Sequence, residues 1–173
     1  ALSKEFFDKY KAKYEKFCNY IYDNRNDEDL FGHEFAEWDE KLIRDYVKKL
    51  LGRIVFLHFL QKKGWLGVPV DKQWGEGDTQ FMRNLFKAST PEQKDNYLDC
   101  VLEPLFAGAL NNQRPNDIFD LGVAGFRTTR IPYLNGGLFE RDVLDEPKST
   151  FPASYFEDLF EFFYQYNFTI DEN

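Results

Sequence analysis

Side chains that commonly carry chemistry are sparse in this sequence. The two histidines, His33 and His58, and the two cysteines, Cys18 and Cys100, form no pair at metal-ligand spacing. Cys18 and Cys100 read as small apolar fillers on helix faces. His58 stands between Leu57 and Phe59 and reads as a core or boundary histidine. A Gly-x-Ser-x-Gly turn for a nucleophile is missing, as are a Walker loop and a Gly-x-Gly-x-x-Gly turn. Gly75-Glu76-Gly77 has no third glycine and no preceding strand, so it reads as a loop.

Carboxylates are plentiful, and an Asp followed later by Glu-x-Lys can hold Mg²⁺ and position a water. The pattern occurs twice by letter. Asp78 with Glu92-Gln93-Lys94 has the wrong context, because Glu92 lies in a helix start where this chemistry wants adjacent strands. Asp117 with Glu146-Pro147-Lys148 places Pro147 in the middle of the required strand. Among 30 acidic and 22 basic residues such matches are expected by chance. The residues therefore predict no catalytic and no metal-binding set.

Cations cluster at Lys48-Lys49-Arg53, at Lys62-Lys63 and at Arg127-Thr128-Thr129-Arg130. The first two read as solvated helix faces. The last sets two guanidiniums and two hydroxyls in one loop, an arrangement that holds phosphates or forms salt bridges with nearby acids. Arg127, Arg130, Lys62 and Lys63 are thus the candidate contacts to a DNA backbone.

The elements that must position these groups are mostly helical. Phe6, Tyr10, Tyr14, Phe17 and Ile21 recur by fours and threes, predicting an amphipathic helix over Leu2–Asp23 with Ser3 as N-cap. A second helix is expected from Asp39 to Lys63, its half from Ile54 to Leu60 apolar nearly all round and hence central. Asp78 can cap a short helix carrying Phe81, Leu85 and Phe86. Thr90-Pro91-Glu92-Gln93 is a capping box with Pro at N1, and predicts a helix to about Asn111 with a kink at Pro104. A last helix spans Pro152–Tyr166, followed by an extended exit over Phe168–Ile170. From Asn112 to Thr150 the helical period disappears. There, RIPYLNGGLF (Arg130–Phe139) predicts a small β-hairpin about Leu134-Asn135-Gly136-Gly137, with positive φ at its glycines. Tyr133, Leu134, Leu138 and Phe139 are too apolar for a free loop. They should pin the turn, with Asn135, Gly136, Gly137 and Phe139 as a structural turn or a docking point for another domain. The fold class is mainly α: one aromatic-rich helical domain of about five helices over residues 1–173.

The 173 residues suit one domain, and 43% hydrophobic content supports a core. Aromatic residues make up 18%, so few positions bury much area. A net charge of −8 argues against a dedicated binder of nucleic acid or anionic membranes. Nothing approaches the roughly 20 apolar residues of a membrane span. Two cysteines are too few for a disulfide framework, which points to the cytoplasm. The chain begins at Ala and stops at Asp171-Glu172-Asn173, which predicts a piece of a larger multidomain protein.

Three stretches together, LLGRIVFLHFLQKKGWL (Leu50–Leu66), IPYLNGGLFE (Ile131–Glu140) and FEFFYQYNFTIDEN (Phe160–Asn173), resemble one known region. It is the connector before the methyltransferase domain of bacterial type IIG-like restriction–modification enzymes. These proteins join a nuclease, a helical connector, an adenine-specific DNA methyltransferase and a target-recognition domain in one chain. The resemblance implies a non-catalytic connector that positions catalytic units on DNA. Its partners would be the adjacent methyltransferase and nuclease domains, with DNA reached through the larger protein. S-adenosylmethionine, with Mg²⁺ for a nuclease, would serve those other domains. The family's Asn-Pro-Pro-Tyr motif and its glycine-rich cofactor turn do not occur here, so no catalytic residue carries over. The alternative is a stand-alone protein-interaction module whose surplus aromatic residues form a partner surface.

Overall fold

The computed structural model describes residues 2–166. It is mainly helical, with one small antiparallel strand pair. Ser3 is extended, and its hydroxyl accepts the Phe6 N–H to start α1 (Lys4–Asn24). Asp39 does the same for α2 (Glu40–Lys62) through the Leu42 N–H. Both caps satisfy donors that a helix start leaves open. α2 is the central element: Ile43, Val47, Leu51, Ile54 and Leu57 are fully buried along it. α1 packs on α2, and α3 (Phe81–Ala88) packs against both α2 and α5 (Ala153–Tyr164).

Aromatic rings form the seam between α1 and α5. Phe6 stacks on Phe162 at 5.3 Å between centroids, and Phe17 meets Phe151 at 4.9 Å and Phe156 at 5.7 Å. Offset and edge-to-face pairs of this kind add about 0.5–1.5 kcal/mol each beyond the area they bury.

Two expected elements differ in detail. Asp78 does not cap α3. Its carboxylate accepts the Gln80 N–H and the Asn84 amide, both at 2.8 Å, and so braces the first turn from outside. The Thr90 capping box is present in both directions, yet the helix it opens, α4 (Pro91–Asp95), breaks at Asn96 (φ −128°, ψ 40°) rather than at Pro104. The chain resumes as a wide helix over Leu98–Leu102 and Pro104–Leu110. There Glu103 N–H reaches Leu98 O and Asn111 N–H reaches Phe106 O, five residues back. The wider turn accommodates Pro104, which has no N–H to give. At Gly108 a Cβ would lie 2.7 Å from the Phe119 ring, so that ring packs where only glycine leaves room.

The strand pair joins β1 (Ile118–Phe119) to β2 (Thr129–Arg130), with Ile118 opposite Arg130. The hairpin expected within Arg130–Phe139 is therefore displaced. Arg130 pairs backward with β1, Ile131 N–H goes to Asp117 O at 2.9 Å, and Leu134 N–H goes to Leu110 O at 2.8 Å. Ile131 and Leu134 thus spend their N–H groups elsewhere, and no strand pair spans the Gly136-Gly137 turn. The extended exit at Phe168–Ile170 lies outside the described residues. Among those described, no helix is long and apolar enough to cross a membrane.

Candidate nucleic-acid interface

Two segments surround the best placed of the candidate cations, Arg130: residues 64–78 after α2, and the β2 strand that carries it. Gly64 makes the first possible. Its φ is +74°, and a Cβ there would lie 2.2 Å from Gly75 O, so the two backbones touch. Gly75 and Gly77 both donate N–H bonds to Gly64 O, closing the loop on itself. The loop docks on β2, where Arg130 O accepts the Gly67 and Val68 N–H groups.

Each of the four expected cations has its own surroundings. Arg130 is the best positioned. Its Nη1 donates to Lys72 O at 2.7 Å, and its guanidinium lies 4.2 Å over the Trp74 ring. Lys63 sits over Phe59 and Trp65, at 5.1 and 5.5 Å. Arg127 is exposed and 4.0 Å from Asp120, the ion pair that the sequence held open as the alternative to phosphate binding. Lys62 lines a different cleft, with His58, Gln61 and Tyr164. The structure ties Arg130 to the 64–78 loop, while Arg127 and Lys62 face other groups.

Of the two roles expected for the 135–139 turn, Phe139 fits the structural one, while the expected positive φ at the glycines needs correction. Phe139 is buried at 2% exposure, its ring 5.6 Å from Phe106 and 6.0 Å from Phe56. It belongs to this chain's own core. Gly136 and Gly137 do not have positive φ, and open space surrounds both where a Cβ would stand. Asn135, Gly136 and Gly137 are exposed; Tyr133 and Leu138 are the large apolar residues that stay exposed beside them. The wide helix and Arg53 hold this segment from below, so the turn itself needs no special backbone.

Arg53, read from the sequence with Lys48 and Lys49 as a solvated helix face, is instead a buried side chain with partners from a distant segment. It is 2% exposed in the middle of α2. Its Nε donates to Leu138 O (2.8 Å), one Nη to Glu140 O (3.0 Å), and the other to Asp145 Oδ1 (2.8 Å). Lys49 reaches Asp142 at 2.6 Å and Asp145 at 2.9 Å. Burial pushes the Asp145 carboxyl up, but hydrogen bonds from Arg53, Lys49 and the Asp142 N–H together hold it below its ordinary value. Nearby Glu103 is raised to about 7, first by burial and then by the negative charge of Asp145, with Arg53 and Arg141 opposing. The available signal was an arginine inside an otherwise apolar run, since such a charge is kept only where partners surround it.

The three stretches singled out in the sequence meet at α2. Arg53 grips the backbone of 138–140. Five residues on, His58 packs on Phe160 (5.7 Å), Phe163 (4.9 Å) and Tyr164 (5.7 Å). Gln61 Oε1 accepts the Met82 N–H at 2.9 Å, with the Tyr164 hydroxyl at 3.5 Å. The part of the third stretch beyond Tyr166 lies outside the described residues. Among those described, no group of three His, Cys, Asp or Glu side chains is placed to hold a metal ion. Comparison with protein-family models, with curated proteins and with solved structures returned no match to this chain.

Proposed function

We propose that this chain is a non-catalytic helical connector of a DNA adenine methyltransferase of the restriction–modification type, holding catalytic units in fixed relation on DNA. The observation that carries this reading is the convergence of its three resembling stretches on one helix. Leu50–Leu66 supplies Arg53 and His58, Ile131–Glu140 is clamped by the first, and Phe160–Tyr164 packs on the second. A connector must transmit position without yielding, and a buried guanidinium binding two carbonyls and a carboxylate is a stiff joint. S-adenosylmethionine and Mg²⁺ would then be bound by other parts of the protein.

A direct test is the coding sequence. An Asn-Pro-Pro-Tyr motif downstream in the same reading frame is the expected result, and a stop codon directly after Asn173 would defeat the reading. Calorimetry adds a second check: the chain alone should bind neither S-adenosylmethionine nor Mg²⁺ tightly, and micromolar binding of either would revive an enzymatic reading. The interaction-module alternative draws its support from Trp65, Val70 and Trp74, apolar residues left exposed on the 64–78 loop.

A further inference from the structure

The connector reading expects DNA contact only at phosphates. A pocket of about 400 Å³ beside β2 suggests more. It is lined by Trp74, Gln113, Arg114, Asp117, Pro132 and Tyr133. The Trp74 and Tyr133 rings remain 39% and 37% exposed. The polar groups around them have spare capacity. Arg114 spends Nε on Asn112 O and Nη2 on Ala109 O and Ile131 O, while its buried Nη1 has no partner among the described residues. The Asp117 carboxylate and the Gln113 amide make no hydrogen bond there either, although the Asp117 charge acts on Arg114. The backbone beneath is strained: among the described residues Asn116 and Asp117 are the two non-glycine positions with positive φ, 57° and 60°, and they are consecutive. Strain of this kind collects where a surface is shaped for a ligand.

Exposed flat rings, a carboxylate acceptor and an amide offering both donor and acceptor form one chemical description. It fits a planar heteroaromatic ring with donors and acceptors along its edge. We propose that this pocket takes an unstacked nucleobase of a single-stranded nucleic acid. Stacking on Trp74 and Tyr133 supplies affinity, and Asp117 and Gln113 meet the base edge, with Arg114 fixed by its three carbonyl partners. Arg130, already over Trp74, has further N–H groups for a neighbouring phosphate, which is why a strand fits better than a free base. In a duplex the base edges are paired and the faces stacked, so duplex DNA offers this pocket nothing. The proposal stands apart from the connector reading, and either can fail alone.

The test is a titration of the 173-residue chain at low salt with a labelled single-stranded 16-mer of mixed sequence, its blunt duplex, and guanosine monophosphate. Anisotropy and tryptophan quenching report binding. The strand should quench tryptophan and bind at least tenfold tighter than the duplex or the mononucleotide. Trp74→Ala and Tyr133→Ala should each weaken strand binding about tenfold, the scale of one lost base–aromatic stack. Should Trp74→Ala lower the melting temperature, Tyr133→Ala carries the test, because its hydroxyl touches only Asn135, at 3.5 Å. Equal binding of strand and duplex would overturn the proposal, as would unaltered binding by Tyr133→Ala. A mononucleotide as tight as the strand would assign the pocket to free nucleotides and overturn the strand.

Discussion

The α1–α5 seam and the Arg53 joint hold the same molecule together by opposite means. In the seam, aromatic rings such as Phe6, Phe17, Phe156 and Phe162 share the burial, and each touches several others. At the joint, one guanidinium with Lys49 beside it carries the polar connection between α2 and the 138–145 segment. Dispersion and hydrophobic burial are divisible, so a seam loses strength by degrees. A buried charge is not divisible: take away one partner and the other is left unpaired in a dry place. The contrast separates a stretch of protein that tolerates change from one that does not.

The largest effect should follow from breaking the joint. Arg53→Ala takes from Asp145 its buried guanidinium partner, leaving only Lys49 and the Asp142 N–H, and frees the Leu138 and Glu140 carbonyls; it is expected to cost about 3–5 kcal/mol. Thermal denaturation of the variant measures this, and proteolysis should newly cut within 138–145. A variant as stable as the native chain would show that Arg53 is incidental.

The second effect depends on pH. Burial lowers His58 to about 4 from its usual 6.5, with a backbone hydrogen bond to Ile54 pulling the other way. The folded chain therefore holds His58 neutral where the unfolded chain protonates it. Its stability contribution is full above pH 6.5 and is lost as pH falls toward 4, with a slope approaching about 1.4 kcal/mol per pH unit. Glu103 acts in the opposite direction: raised to about 7, it stays protonated in the folded chain and disfavours folding as pH rises from 4.5. The two slopes oppose each other in the native chain, so in denaturant titrations across pH 4–8 stability should rise with pH in Glu103→Gln and fall with pH in His58→Gln. Parallel profiles for the two variants would remove this assignment.

Seam substitutions should be milder. Phe17→Leu keeps an apolar side chain among Phe151, Tyr155 and Phe156 and should cost about 1 kcal/mol, read from the shift in denaturant midpoint. A loss as large as that of Arg53→Ala would erase the contrast between the two regions.

Least of all should follow from Gly136→Ala, where open space and ordinary φ await the methyl group; a change within about 0.5 kcal/mol is expected. Gly64→Ala, at φ +74° and against Gly75 O, should destabilise clearly in the same assay.

That pair of glycines illustrates what could be read in advance. The aromatic faces of α1 and α5, the α2 core face and the Ser3 and Thr90 caps were legible because each is a local pattern of spacing or chemistry within a few residues. The Arg53 joint was not, because its partners lie 85 to 92 residues away and nothing local marks Leu138, Glu140 or Asp145 as its targets. The glycine turn misled for a related reason. Asn-Gly-Gly is a strong hairpin signal only when the flanking strands have donors to spend, and here Ile131 and Leu134 give theirs to Asp117 and Leu110. Arg130 was picked out from the sequence, but its stack on Trp74 depends on a loop that closes through Gly64, 66 residues earlier in the chain by position number.

The measurement that bears most directly on the connector reading is chemical. The full reading frame that encodes this chain should be expressed in a host without adenine methyltransferases, and its DNA digested to nucleosides for mass spectrometry. The account predicts N6-methyladenine well above the host background, reduced when Arg53→Ala loosens the joint. Soluble, folded protein that leaves no N6-methyladenine in the DNA would contradict it.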